Sequence, residues 1–289
     1  MYALIEQLTL EGIHAVTAVC DTLEVSRAGY YAWRAEVETA RERRDRELMP
    51  LVCNVFWRHR RRYGARRIAL ELAALGQPCG VDRVAKLLKI QGLQAIAPKS
   101  FKPKTTDSDH ALGYSPNLLL RSPPPVELNR VWVADITYIP LKEKTFAYLA
   151  LALDLCSRRV IGWSLAEHMT EMLVVDVLQQ AIRARQPPPR LIHHSDRGGQ
   201  YAGGRFRGVL RRADMRQSMS RAANCYDNAF MESCFGTIKT ELEMTEYQNS
   251  KHARHDIASY LAYYNQQRRH SSLDYLPPAA FEGLLPVVN

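Results

Sequence analysis

The sequence predicts an α/β protein in which an all-α N-terminal region precedes a mixed five-stranded sheet. Three β-prone runs, at 131–139, 146–153 and 159–165, are separated by turn-like or charged residues, which is typical of an antiparallel meander. A helix is predicted at 171–185. A strand at 190–194, a helix at 203–213 and a strand at 215–218 follow. Two helices, at 227–245 and 251–267, complete the prediction. Three strands followed by alternating helices and strands indicate a mixed sheet flanked by helices.

The N-terminal region is predicted to be helical throughout. Residues 15–33 read as helix, short turn and helix, with Ser26 as the cap of the second helix. This segment is either a small helical hairpin or a helix-turn-helix that contacts DNA. A charged helix at 36–47 follows, and then two helices at 65–75 and 81–91.

A run of arginines without an acidic residue lies between Glu47 and Glu71. Its members are Arg58, Arg60, Arg61, Arg62, Arg66 and Arg67. Solvated charge runs usually mix both signs, so this run predicts contacts with phosphate. The whole chain carries a formal net charge of +9. That charge favours a polyanionic partner without separating DNA from RNA or an acidic membrane surface.

Composition narrows the setting of the protein. The six cysteines have no CxxC spacing, which argues against a zinc ribbon and for reduced thiols in the cytoplasm. The N-terminus lacks the basic leader of a signal peptide. The longest apolar run, 146–153, is too short to span a bilayer. We therefore expect a cytoplasmic protein with no membrane partner.

Two linkers divide the chain. Residues 98–109 lack apolar periodicity, and a proline-rich piece at 122–125 introduces the second half. The first two predicted segments are an N-terminal helical segment (1–48) and a basic helical DNA-binding domain with its linker (49–108). A catalytic core (122–247) and a C-terminal helix with a tail (248–289) follow.

Three acidic residues stand out as candidate site residues. Asp135 lies in the centre of an apolar strand, where a carboxylate is costly unless it is paired or bound to a cation. Asp196 follows a later strand and precedes two glycines; alone, it could simply cap a turn. Glu232 lies on a helix, with Asn228 one turn before it and Lys239 two turns after it. These offsets place all three helical side chains near one face.

Carboxylates crowded into one pocket need a compensating positive charge. A set of oxygen ligands points to Mg²⁺ or Mn²⁺ rather than zinc. Two such ions, roughly 3.5–4 Å apart, support an in-line displacement at phosphorus. The predicted metal ligands and catalytic residues are therefore Asp135, Asp196 and Glu232, and Lys239 is predicted to contact phosphate beside them.

Other polar residues have structural interpretations. Asp154 is predicted to cap a turn or pair with Arg158 or Arg159 rather than bind metal. His193 and His194 are adjacent on a strand and therefore face opposite ways, so they cannot form a zinc pair. We expect His193 to be structural and His194 to border the site.

The spacing of the acids resembles a known signature. Thirty-five residues separate Asp196 from Glu232, similar to retroviral-type integrases and to transposases with a ribonuclease-H-like core. Finer motifs resemble the orfB transposases of the insertion-sequence-3 family. They are WVADITY (132–138), HSDRGGQY (194–201), SMSR (218–221), NCYDNA (224–229), ES (232–233), KTE (239–241) and YNQQRRH (264–270), with SRAGYY (26–31) and YGARRI (63–68) upstream.

The resemblance implies metal-dependent strand cleavage and strand transfer at the ends of an insertion sequence. It implies double-stranded DNA as the partner, both terminal inverted repeats and target. Asn228, on the helical face of Glu232 and Lys239, is predicted to be among the DNA contacts. A homo-oligomer on DNA, fusion or partnership with an upstream-frame helix-turn-helix protein, and association with the nucleoid also follow from it. Gly199, where serine is expected, and Ala222–Ala223, where Lys-Gly is usual, depart from the family pattern away from the acids.

Two other functions fit parts of the sequence. A DNA-binding regulator with an inactive nuclease-like core would keep the arginines but need not keep the three acids and Lys239 together. A ribonuclease-H-like nuclease would not need the helical N-terminal half. Since the chain has all of these features, the transposase is favoured.

Overall fold

The computed structural model describes residues 1–10, 12, 14–35, 38–97, 113–120, 123–221, 228–244 and 246–285. They belong to two compact units, Met1–Ala95 and Ile96–Asn289. The predicted linker at 98–109 and most of the NCYDNA motif lie outside the described residues. No helix in the described part of the chain is both long and apolar enough to cross a membrane.

The described part of the first unit is helical, as predicted. Its helices are α1 (Tyr2–Leu10), α2 (Val16–Thr22), α3 (Arg27–Arg34), α4 (Ala40–Arg58), α5 (Ala65–Ala74) and α6 (Val81–Ile90). Helices α2 and α3 are the two predicted at 15–33, and α3 begins after Ser26, whose hydroxyl accepts the Gly29 N–H. Helix α1 was not predicted. A small core joins α1, α2 and α3 through Ile5, Val19, Cys20 and Tyr30.

Helix α4 differs most from its prediction. It begins with a capping box between Thr39 and Glu42 and continues through Pro50 to Arg58, so the helix predicted at 36–47 ends too early. Pro50 lacks an N–H and removes one helical hydrogen bond. The buried side chains on both sides of it offset that loss by packing against α5 and α6. The boundary predicted between residues 48 and 49 therefore falls inside this helix.

The second unit contains the predicted mixed sheet. Its strands are β1 (Val131–Pro140), β2 (Phe146–Asp154), β3 (Val160–Ala166), β4 (Ile192–Ser195) and β5 (Arg216–Met219), in the order β3-β2-β1-β4-β5. The first three form an antiparallel meander, and β4 and β5 add to β1 in parallel. The predicted fold class is confirmed.

Helices cover both faces of this sheet. They are α7 (Glu171–Arg185), α8 (Gly199–Ala202), α9 (Gly204–Arg212), α10 (Ala229–Glu241), α11 (Ser250–Gln266) and α12 (Pro278–Leu284). Side chains alternate along β1, so Trp132 packs with residues of α7 and α9, whereas Val133 packs with residues of α10 and α11. Gly162 of β3 allows α7 to approach closely, because a Cβ there would lie 2.6 Å from the Val177 carbonyl oxygen.

The C-terminal segment packs into this unit. Side chains of α11 lie in the same core cluster as β1 and α10, so α11 contributes to the core. Helix α12, which was not predicted, is held by Glu282. Its carboxylate accepts hydrogen bonds from Ser157 and Arg185 at 2.8 Å and pairs with Arg159.

Candidate active site

Asp135 lies in the middle of β1, on the face that α10 and α11 cover. Its side chain is half-buried, and Oδ1 accepts the Ile136 N–H at 2.8 Å. Burial raises the pKa of Asp135 well above its ordinary value, and the charges of Asp196 and Glu232 raise it further. The Ile136 hydrogen bond and the Lys239 charge lower it. The ionised form of Asp135 is thus unfavourable at this position unless a cation joins it.

Asp196 is brought to Asp135 by the parallel pairing of β4 with β1. Val131 pairs with Ile192 and Val133 with His194, and the same register continued by two residues sets Asp196 level with Asp135. The Asp196 carboxylate accepts the Gly198 N–H at 3.0 Å. A Cβ on Gly198 would lie 3.1 Å from that carboxylate oxygen, so glycine suits this close turn.

Glu232 and Lys239 come from α10, where an offset of seven residues places them on one side of the helix. Glu232 is exposed and Lys239 is half-buried. Burial lowers the pKa of Lys239, while the negative charge of Asp135 raises it. Lys239 therefore lies near enough to Asp135 for the two charges to interact.

The structure brings the four predicted residues into one electrostatic neighbourhood, since Asp196, Glu232 and Lys239 all act on Asp135. The carboxylates are not a closed ligand set. Among the residues that the structure describes, no three His, Cys, Asp or Glu side chains lie close enough to hold a metal ion. The site is an open acidic cluster whose mutual repulsion a divalent cation would relieve.

Asn228 occupies the cap position of α10. It makes no side-chain capping bond, and it is only 7% exposed. Its Oδ1 has no hydrogen-bond partner within the described residues, from which 222–227 are left out. A DNA contact by Asn228 stays a prediction, and its burial does not favour it.

Two serines that sequence reasoning missed support the loop carrying Asp196. His194 is fully buried; its Nδ1 lies 2.8 Å from the Ser218 hydroxyl and its Nε2 3.3 Å from the Ser220 hydroxyl. Arg197 Nε donates to the Ser220 carbonyl oxygen at 2.7 Å. These bonds tie both sides of Asp196 to β5 and its end. The alternation of serines in the SMSR motif was the available sequence signal.

His193 points to the opposite face, as predicted. It is buried beside the rings of Tyr201 and Phe206, at centroid distances of 6.3 and 5.2 Å. Burial lowers the pKa of His193 to about 3. This histidine is neutral in the folded protein at physiological pH.

We expect His193 to make the fold acid-sensitive. The folded pKa lies below the unfolded one, so its contribution is fully present above about pH 6.5 and is lost as pH falls toward 3, at about 1.4 kcal/mol per pH unit. Urea unfolding of His193→Phe between pH 7.5 and 5 should show a shallower loss of stability than the wild type. His255→Gln, which alters an exposed histidine, should keep the wild-type slope; an equal slope in His193→Phe would contradict the assignment.

Asp154 caps a turn, as predicted. Its carboxylate accepts three backbone N–H groups, those of Asn129, Cys156 and Ser157. The arginine nearest its carboxylate is Arg185, at 3.9 Å, and not Arg158 or Arg159. The alternative prediction, an ion pair of Asp154 with Arg158 or Arg159, was wrong. Arg159 pairs with Glu282 instead, and Arg158 lies over the Phe230 ring.

The arginine run of the first unit follows the end of α4. Arg60 and Arg61 have left-handed backbone with φ of 51° and 63°, so the chain turns there before α5. Arg67 lies over the Tyr63 ring at 5.4 Å. Arg58, Arg60 and Arg66 are exposed, whereas Arg61, Arg62 and Arg67 are half-buried. The exposed members are the ones most available to a ligand.

Sequence comparisons define the class of this protein. Two family models described as "Integrase core domain" match residues 125–225 and 213–278. A third, described as "HTH-like domain", matches residues 42–101. Together with the five-stranded mixed sheet, these matches show that the chain is a DDE-type transposase or integrase.

Curated relatives narrow the class to a family. The chain is 40% identical to "Insertion element IS600 uncharacterized 31 kDa protein" of Shigella sonnei, over 91% of this chain and 97% of that protein. It is 39% identical to "Transposase InsF for insertion sequence IS3A" of Escherichia coli (strain K12), over 98% of both. The chain belongs to the insertion-sequence-3 family of transposases.

A solved structure also resembles it. The "Structure of the HTLV-2 integrase catalytic core domain in complex with magnesium (trimeric form)" matches with a TM-score of 0.43 and 19% identity, over 53% of this chain and 95% of that chain.

Proposed function

We propose that this transposase cleaves DNA strands at the ends of an insertion sequence and transfers them to target DNA. Asp135, Asp196 and Glu232 are the proposed metal ligands, and Lys239 is the proposed phosphate contact. The observation that supports this most is that the charges of Asp196, Glu232 and Lys239 all act on Asp135, although these residues come from β1, the turn after β4 and α10. Perturbed ionisable groups gathered in this way are typical of catalytic sites.

The proposed cofactor is Mg²⁺ or Mn²⁺, with two ions in each site. The donor set fits, because its oxygens are carboxylates and carboxylates are preferred by these hard cations. When bound, the ions supply activation of a water or 3′-hydroxyl and charge stabilisation of the leaving oxygen. Asp135, on β1, and Asp196, directly after the neighbouring strand β4, provide two of the three proposed ligands. Glu232, exposed on α10, would complete the set when metal binds.

Lys239 adds a positive charge at the edge of this cluster. Its half-burial and its attraction to Asp135 hold the ammonium group toward the acids. A lysine in this position can bind a phosphate oxygen next to the reacting bond and stabilise charge that develops there.

DNA binding is assigned to the HTH-like part of the first unit. Residues 41–97 contain 13 basic and 5 acidic residues, a net charge of +8, whereas residues 1–40 contain 2 basic and 6 acidic residues, a net charge of −4. Phosphate contacts require positive charge. We therefore assign them to the arginines between Arg58 and Arg67 and not to α2 and α3.

The partners follow from the proposed reaction. They are double-stranded DNA in the form of terminal inverted repeats and target, further copies of this chain assembled on the DNA, and an upstream-frame helix-turn-helix protein. Work on DNA places the protein at the nucleoid in the cytoplasm.

A cleavage assay tests the proposal. Duplexes carrying the ends of the host element would be incubated with the protein, with and without the upstream-frame product, in Mg²⁺, Mn²⁺ or EDTA. We expect nicks at the element ends and joined products in either metal, and neither in EDTA. Cleavage that persists in EDTA, or a protein that binds the ends and never cuts them in metal, would overturn it.

We expect the exposed arginines of the run to set the salt dependence of DNA binding. In Arg58→Ala/Arg60→Ala/Arg66→Ala, the slope of log affinity against log salt should fall by about 0.9 for each phosphate group that the variant no longer neutralises. Fluorescence anisotropy on a labelled duplex measures it. Arg27→Ala, an exposed arginine of the acidic N-terminal part, is the matched control. If the triple variant keeps the wild-type slope, these arginines are structural.

A further inference from the structure

A second group of arginines lies in the catalytic unit and takes no part in the acidic cluster. We call it the distal arginine surface, and its members are Arg183, Arg190, Arg211, Arg212 and Arg216, all exposed. Between residues 183 and 216 the chain has nine arginines and only two acids, Asp196 and Asp214. One of those acids, Asp196, belongs to the active site.

The segments that carry these arginines lie side by side. Arg183 of α7 and Arg212 of α9 line the same cleft of about 290 Å³. The Arg190 N–H donates to the Asp214 carbonyl oxygen at 2.6 Å, which joins the end of the α7–β4 connection to the residues after α9. The Arg216 N–H donates to the Leu191 carbonyl oxygen at 2.8 Å. The surface thus runs from the end of α7, past the end of α9, to the starts of β4 and β5.

The fold does not use these charges. In the part of the chain that the structure describes, none of the five guanidinium groups forms an ion pair or a side-chain hydrogen bond. Other arginines of this unit do: Arg185 binds Glu282 at 2.8 Å and Arg268 binds Glu241 at 2.7 Å. Neighbouring charges of one sign repel each other and cost stability. A cluster kept without internal partners therefore points to an external anion.

The distal arginine surface lies too far from the acidic cluster to contact the DNA bond that is cleaved. Arg190 precedes β4 and Asp196 follows it, six residues further on, which is about 20 Å of extended chain. In addition, α7 and α9 lie on the face of the sheet opposite to α10, which carries Glu232 and Lys239. An anion bound here lies well away from the acidic cluster.

We propose that the distal arginine surface binds the phosphate backbone of duplex DNA at a distance from the cleaved bond. This rests on the proposed function in taking DNA as the substrate. Arginine matches phosphate through its planar fork of donors. Protein interfaces centre on buried aromatic or apolar anchors, whereas the apolar members of the cleft, such as Ile182 and Val209, are already half-buried or buried. Charge without an exposed apolar centre favours nucleic acid over an acidic protein.

The test compares Arg211→Ala/Arg212→Ala/Arg216→Ala with Arg130→Ala, an exposed arginine already paired with Glu127 at 2.6 Å. Both are made in the full chain with Asp135→Asn, so that cleavage does not alter the duplex. In anisotropy titrations against salt, the slope of the triple variant should fall by about 0.9 for each phosphate group left unbound. The slope of Arg130→Ala should not change. Replacing the same three arginines with lysine should restore most of the slope, since lysine keeps the charge.

The outcomes separate the inference from the proposed function. An unchanged slope in the alanine variant at an unchanged melting temperature overturns the inference. The same variants are also titrated with polyglutamate, a model of an acidic protein. If the alanine variant loses binding to polyglutamate but not to DNA, the partner is an acidic protein and the inference is overturned. A reduced slope that lysine mostly restores supports the inference, even if the wild type never cuts DNA in metal. That last result would remove the proposed function alone.

Discussion

Asp135→Asn is expected to abolish strand cleavage and, in the same protein, to raise the melting temperature measured without metal. The two effects have one cause. Burial and the charges of Asp196 and Glu232 raise the pKa of Asp135, so the ionised carboxylate is unfavourable in the folded protein at neutral pH. Asparagine keeps the shape and removes the charge, but it cannot supply the anionic oxygen that a divalent cation needs.

The gain in stability should depend on pH in a defined direction. Because the folded pKa is raised above the ordinary value of 3.8, the wild type loses stability as pH rises from that value through the folded pKa. Asp135→Asn has no such group. The difference between the two melting temperatures should be absent below about pH 4 and present at neutral pH.

With Mg²⁺ present, the wild type should have the higher melting temperature of the two proteins. Mg²⁺ binds the folded wild type and stabilises it by mass action, whereas Asp135→Asn should gain little from the same concentration. Glu232→Gln, at an exposed position, should also lose cleavage but with little change in the metal-free melting temperature. Asp176→Asn, which removes an exposed acid from α7, should change neither. Near-wild-type cleavage by Asp135→Asn, or a lower metal-free melting temperature, would contradict this account of the cluster.

Local periodicity was enough to predict the sheet. Alternation along β1 placed Asp135 on a mostly apolar face, and the separation of strands by turn-like residues predicted the meander. To assign Asp196 and Glu232 to one site, the sequence analysis also required the resemblance of their spacing to a family signature. Periodicity alone shows no relation between a strand end and a helix thirty-six residues later.

The contacts that were missed join residues far apart in the sequence. His194 meets Ser218 and Ser220 only because β5 lies beside β4. Asp154 lies near Arg185, which comes from α7, and not near an arginine of its own turn. Local propensity likewise ended α4 before Pro50, although burial of its apolar side chains carries the helix on. Each error arises where tertiary packing outweighs a local preference.

Lys239→Ala is expected to reduce strand transfer by about 100-fold, the usual cost of removing one group that stabilises charge in a transition state. Its melting temperature should change little. The side chain is half-buried and directed toward Asp135, so removing it ends both an unfavourable burial and a favourable attraction. Single-turnover strand transfer and thermal unfolding, measured on the same preparations, give the two quantities.

The competing explanation is a surface ion pair between Lys239 and Glu243, four residues further on, worth about 0.3–0.5 kcal/mol. The active-site explanation is favoured because the charge that raises the pKa of Lys239 is that of Asp135. If the pair mattered, Glu243→Ala would mimic Lys239→Ala, and both effects would follow stability. We expect Glu243→Ala to transfer strands normally, and Lys239→Arg to recover part of the activity by keeping the charge. Full strand transfer by Lys239→Ala would remove this lysine from the site and leave phosphate binding to the metal ions alone.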